Sequence, residues 1–161
     1  MSNENHKFPS QKNLENLFNY YKDKRYKEAE KLAISITKRF PKHPFSWKVL
    51  GEIFRLKNKF SDSLKATQTS IEVNSQDHEA HNNLGITLKQ LGKLEDAKIS
   101  FQKAIKLKSD FGFAHSGLAF ILKELGKLED AKISFQKAIK LKSDLDNSYY
   151  HLGKIFFFYK D

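Results

Sequence analysis

Nineteen residues, GKLEDAKISFQKAIKLKSD, occur twice without a change, at Gly92–Asp110 and at Gly126–Asp144, and the copies begin 34 positions apart. A fixed period of 20–50 residues marks a chain of stacked, near-equivalent units, since one helix pair cannot cover its own apolar side. Extending the shift in both directions gives Ser10–His43, Pro44–Asp77, His78–Phe111 and Gly112–Leu145, then a half-unit, Asp146–Asp161. Residues 1–9 fall outside the period and are expected to form a disordered N-terminal tail. Residues 10–161 are expected to form one domain.

Each unit reads as two helices. In the third, His81, Leu84, Gly85, Leu88 and Leu91 recur at helical spacing, and Gly92 then ends the helix. Leu94, Ala97, Phe101, Ala104 and Ile105 mark the inward face of the second helix. Glu95 and Asp96 lie in its first turn, and Lys106 and Lys108 near its end, as the helix dipole favours. The duplicated text is therefore a helix-breaking glycine followed by one complete helix.

These residues resemble the tetratricopeptide repeat (TPR) family. Its 34-residue unit has an aromatic, Leu and Gly in the first helix and Ala-x3-aromatic-x2-Ala in the second, often with a closing Pro. Trp47, Leu50 and Gly51 fit, as do Leu84 and Gly85, then Tyr149, Leu152 and Gly153. The second-helix signature appears as Ala97, Phe101 and Ala104, and as Ala131, Phe135 and Ala138. Tyr26, Ala29 and Pro41 supply it in part in the first unit. The second unit departs from it, with Ser63, Thr67 and Ser70, so its second helix is expected to pack less well. Pro is missing near Ser75, Ser109 and Ser143, and Ala119 stands where Gly is common. The resemblance implies an all-α fold, a right-handed α-solenoid of four helix-turn-helix units plus a C-terminal capping helix. Small residues at Ala97 and Ala104 would let helices approach, and Phe101 and Phe135 would fill the space between units.

In such a superhelix the first helices line a concave groove. The residues expected there are Phe18 and Tyr21 in the first unit, and Phe45, Lys48, Glu52 and Arg55 in the second. Asn82, Asn83, Ile86 and Lys89 follow in the third, Phe113, Phe120 and Lys123 in the fourth, and Tyr150, His151 and Lys154 in the half-unit. Aromatics mixed with cations suit a protein or peptide ligand of acidic character. The carboxylate clamp of chaperone-binding relatives is not expected. Lys48 and Asn83 match it, but Glu52, Phe113 and Gly117 do not. A groove ladder of asparagines is likewise incomplete, with Asn83 alone against Glu15, Val49, Gly117 and His151.

In the capping helix, Tyr149, Leu152, Gly153 and Phe156 are expected to face the fourth unit. Phe157, Phe158 and Tyr159 point elsewhere, which is consistent with a fragment of a longer protein, with a homodimer through Phe157 and Phe158, or with groove-lining aromatics.

The primary expectation is a non-catalytic scaffold or adaptor that binds a peptide in the concave groove. Two alternatives stand beside it. The N-terminal part is similar to bacterial TPR regions that precede O-linked N-acetylglucosamine transferase-like or other enzyme domains, so the chain could be a targeting module of such an enzyme. The formal charge of +10 also suits an electrostatic binder of nucleic acid or an acidic surface. The Lys-rich outer faces, with Lys98, Lys103 and Lys106 and their repeats at Lys132, Lys137 and Lys140, are interleaved with acids, which reads instead as a solvated helix surface.

Catalysis is not expected. The paired acids Glu95–Asp96 and Glu129–Asp130 fit first-turn positions, and no phosphate-cradling or nucleophile motif is present. No cofactor and no metal are expected. His78 and His81 lack companion ligands, and His81 and His115 occupy one repeated packing position. The absence of cysteine suits a reducing, cytoplasmic setting. No apolar run approaches the roughly 20 residues that span a bilayer.

Overall fold

The structure, a computed structural model, describes residues 8–141, 149–152 and 154–155. Eight α-helices follow one another: α1 (Gln11–Lys22), α2 (Tyr26–Arg39), α3 (Pro44–Leu56), α4 (Phe60–Val73), α5 (His78–Gln90), α6 (Leu94–Leu107), α7 (Gly112–Glu124) and α8 (Leu128–Lys140). Residues 149–152 and 154–155 are also helical, and there is no strand among the described residues. Close contacts group the chain into two compact units, Met1–Ser75 and Gln76–Asp161.

The helix ends follow from local chemistry. The Ser10 side chain caps α1 by accepting from the Asn13 N–H, and Asp77 caps α5 by accepting from Glu79 and Ala80. Pro44 opens α3, where its missing N–H costs nothing. α1, α3, α5 and α7 end in the same turn. Lys24, Asn58, Gly92 and Gly126 are all left-handed, with φ of 58°, 58°, 72° and 75°. In each case the next residue donates its N–H back into the helix: Arg25 to Tyr20, Lys59 to Phe54, Lys93 to Leu88 and Lys127 to Leu122. This double-bonded terminus satisfies the last carbonyls and sends the chain back antiparallel.

In the first unit, Leu17 of α1, Ala29, Ala33 and Ile36 of α2, Leu50 and Ile53 of α3, and Ala66 of α4 form the core. Ser63, Thr67 and Ser70 are fully buried rather than loosely placed. The reason is their size. A methyl on Gly51 would lie 2.5 Å from the Thr67 hydroxyl, so α4 sits close on α3, and the Ser70 hydroxyl donates to the Pro44 carbonyl at 3.0 Å.

In the second unit the duplicated helices bury the same residues. Ala97, Phe101 and Ala104 of α6 are enclosed, as are Ala131, Phe135 and Ala138 of α8. The places that receive the two rings differ. Phe101 lies between Gly85 of α5 and Gly117 of α7, so close that a methyl on either would fall within 2.9 Å of it. Phe135 meets Phe120 of α7 edge-on (5.3 Å) and stacks on His151 (5.9 Å, 12°). His151 lies 34 positions after Gly117 and Ala119 lies 34 after Gly85, so the repeat is kept in sequence while the plug is seated in two ways.

Of the expected cap, Leu152 packs against the core of Ala119, Leu122, Ala131, Phe135 and Ile155, whereas Tyr149 is exposed. Ile155, which had no assigned part, is the buried residue of that segment. Gly153, Phe156, Phe157, Phe158 and Tyr159 lie outside the described residues, as do residues 1–7 of the expected tail.

Candidate functional site

The expected groove residues all lie on the first helix of a pair, and they fall into two sets, one in each unit.

In the first unit, three of them form one hydrogen-bonded group. The Arg55 guanidinium grips the Glu52 carboxylate with two N–H groups, Nε at 3.1 Å from Oε2 and Nη2 on Oε1. The Tyr21 hydroxyl, from α1, hydrogen-bonds to the same carboxylate. Burial, and secondarily the Glu52 charge, pushes the Tyr21 hydroxyl from 10.0 up to about 12. The hydrogen bond that Arg55 donates to Glu52 holds the guanidinium above its ordinary value. Tyr26 leans on Tyr21 at 6.2 Å. Arg55, expected to face a ligand, is thus matched by the chain's own acid. Phe18 is exposed and Lys48 is half-buried, while Phe45 packs edge-on against His43 (6.5 Å).

In the second unit, a cluster of rings and lysines spans three successive first helices. Phe120 of α7 is its centre. Lys89 Nζ of α5 lies 4.6 Å from the Phe120 ring centroid and Lys123 Nζ lies 5.8 Å from it. The His151 ring meets Phe120 edge-on at 4.5 Å, and the Lys123 ammonium donates to His151 Nδ1 at 2.9 Å. Tyr150 packs against His151 at 5.0 Å and carries Lys154 over its own ring at 4.8 Å. Among the described residues no carboxylate forms an ion pair with Lys89, Lys123 or Lys154.

The other members are placed differently. Asn82 is buried, and its side-chain oxygen has no hydrogen-bond partner among the described residues. Asn83 and Ile86 are half-buried on α5. Phe113 is exposed at the start of α7, leaning on Phe111 at 5.9 Å. Lys48 and Asn83, the two clamp-like residues, belong to different units. His81 is buried, and His115 reaches the Ser109 carbonyl at 3.0 Å. Among the described residues there is no group of three His, Asp or Glu side chains that could hold a metal ion. No described helix is long and apolar enough to cross a membrane.

Sequence reading missed the Tyr21–Glu52–Arg55 group. Glu52 and Arg55 stand three apart on one helix, a spacing that signals a side-chain pair, but Tyr21 comes from a different helix and gave no such sign.

Residues 78–111 and 114–145 each match a family model described as tetratricopeptide repeat. No curated protein matches the chain. Among solved structures, that of MamA protein superposes with a TM-score of 0.78 at 17% identity, over 89% of this chain and 79% of that one. PilF of Pseudomonas aeruginosa gives 0.82 at 14% identity, over 91% and 67%. The first TPR domain of Spaghetti (RPAP3), solved with the HSP90 peptide SRMEEVD, gives 0.68 at 18% identity, over 70% and 90%. At these identities the likeness establishes the fold, an α-solenoid of helix pairs.

Proposed function

We propose that this chain, a tetratricopeptide repeat protein, receives a peptide segment of a protein partner on the face formed by its first helices. The family's helix pairs typically serve as non-catalytic interaction scaffolds, and one solved structure of the same fold holds a peptide. The observation that carries the reading to this face is the cluster around Phe120. Lys89, Phe120, Lys123, Tyr150 and Lys154 come from three consecutive first helices, and Tyr150 and Lys154 stand exposed there. Aromatic rings offer large contact area at little entropic cost, and the lysines add directional charge.

The test begins with affinity capture from the native lysate and mass spectrometry. Peptides tiled from the captured proteins are then arrayed against the wild type and against Lys89→Ala, Tyr150→Ala and Lys154→Ala. Weaker binding in these variants supports the groove. Undiminished binding in all three overturns it.

A further inference from the structure

The chain itself shows what a cation at this register holds. Arg55, Lys89 and Lys123 recur at intervals of 34 residues, each near the end of a first helix. Three residues before them stand Glu52, Ile86 and Phe120 respectively. At the first of these positions the cation has an acid on its own helix, and the structure shows it gripping that acid with two N–H groups, with a tyrosine hydroxyl on the same carboxylate. At the other two the acid is replaced by an aliphatic side chain and a ring. Lys89 and Lys123 both lie over that ring, and no described carboxylate pairs with either.

We infer that Lys89 and Lys123 form a carboxylate-binding subsite over Phe120, in which an acidic side chain or chain terminus of the partner takes the part that Glu52 plays for Arg55. The inference rests on the groove reading above and narrows it to a partner segment bearing carboxylates. Two ammonium groups held at one ring repel each other, and an anion that reaches both relieves that repulsion while accepting charge-assisted hydrogen bonds. His151 accepts from Lys123 and so fixes where that ammonium points. Phe120 and Tyr150 give the ligand's carbon chain an apolar wall. The corresponding place in the first unit is already filled by Glu52, so Arg55 does not compete for the ligand.

The test uses fluorescein-labelled peptides of about ten residues and fluorescence anisotropy with the full chain. The probes are an amidated Ala–Glu repeat, an amidated Ala–Gln repeat and an Ala–Gln repeat with a free C-terminus, with a dT oligonucleotide of similar length as the phosphate counterpart. The Ala–Glu probe is expected to bind and the amidated Ala–Gln probe is not. Lys89→Met and Lys123→Met together remove both charges while keeping unbranched side chains of similar length, and are expected to weaken the Ala–Glu probe about tenfold or more, the size of even one lost charge-assisted contact. Ile86→Glu places an acid three residues before Lys89, as Glu52 precedes Arg55, and is expected to weaken the probe similarly. Binding of the free-terminus probe instead assigns the same subsite to a chain terminus.

Equal binding of the Ala–Glu probe to the double variant overturns the subsite and leaves the groove reading standing. Failure of both carboxylate probes also overturns the subsite, and so does an oligonucleotide that binds more tightly and is released by the same variants. The groove reading falls separately, by undiminished binding of captured partner peptides in its own three variants.

Discussion

Gly117→Ala tests how the repeats close on one another. The added methyl would lie 2.4 Å from Cε1 and 2.6 Å from Cζ of Phe101, about 1 Å inside ordinary carbon contact. The ring cannot retreat toward α5, because a methyl on Gly85 would already meet it at 2.9 Å. Overpacking of this kind costs about 1–3 kcal/mol. Alanine in place of glycine within a helix returns about 0.8–1.0 kcal/mol, so the net loss is about 0–2 kcal/mol. The sharper quantity is the coupling to Phe101. Phe101→Leu alone leaves a cavity and costs about 1–2 kcal/mol, between the small deletions and full truncation. In the double variant the clash is gone while the helical gain remains. The combined loss is therefore expected to fall short of the sum of the single losses by about 1–3 kcal/mol. Urea unfolding followed by circular dichroism measures all four proteins. Additivity within about 0.5 kcal/mol would show that the Phe101 ring does not occupy the gap at Gly117, and would refute the account of how this unit packs.

Three further outcomes follow from the turns and the buried polar groups. Lys24→Gly is expected to raise stability by about 0.5–1 kcal/mol by removing a left-handed lysine, and Gly92→Ala to lower it by about 1–2 kcal/mol, both read from thermal midpoints. Absorbance at 295 nm should show a tyrosinate component near pH 12 that Tyr21→Phe removes and Glu52→Gln moves downward. Because the folded value lies above 10.0, the stability Tyr21 contributes is complete below that pH and is lost as pH rises through about 12. Burial holds His43 below its ordinary 6.5, so its contribution is complete above that value and is lost as pH falls through the depressed one. The thermal midpoint of His43→Asn should accordingly fall less than that of the wild type between about pH 7.5 and 5.

The second helices were the most legible part of the chain. Ala97, Phe101 and Ala104 are small, large and small at helical spacing, and that pattern alone gives the buried face. Gly92 and Gly126 announced their turns because glycine is the residue that enters the left-handed region freely. Lys24 and Asn58 adopt the same conformation under the pull of the same hydrogen bonds, and nothing in a lysine foretells it. Helical phase put the groove candidates on first helices, but phase does not say which neighbours a side chain meets. Asn82 is buried among its neighbours, and Tyr21 joins the Glu52–Arg55 pair because α1 and α3 bring it to Glu52 from a separate stretch of sequence. Phe120 became the centre of a cluster through Lys89 and His151, which lie 31 positions before and after it.

The two seatings of one phenylalanine set a rule for how such an array can lengthen. A further copy of the duplicated text would bring its own stop signal, since the glycine travels at its head, but it would not bring the socket for its ring. That socket is completed by the following helix, which presents a bare backbone at Gly117 and a flat ring at His151. Growth by tandem copying is therefore limited less by the copied segment than by what happens to come after it.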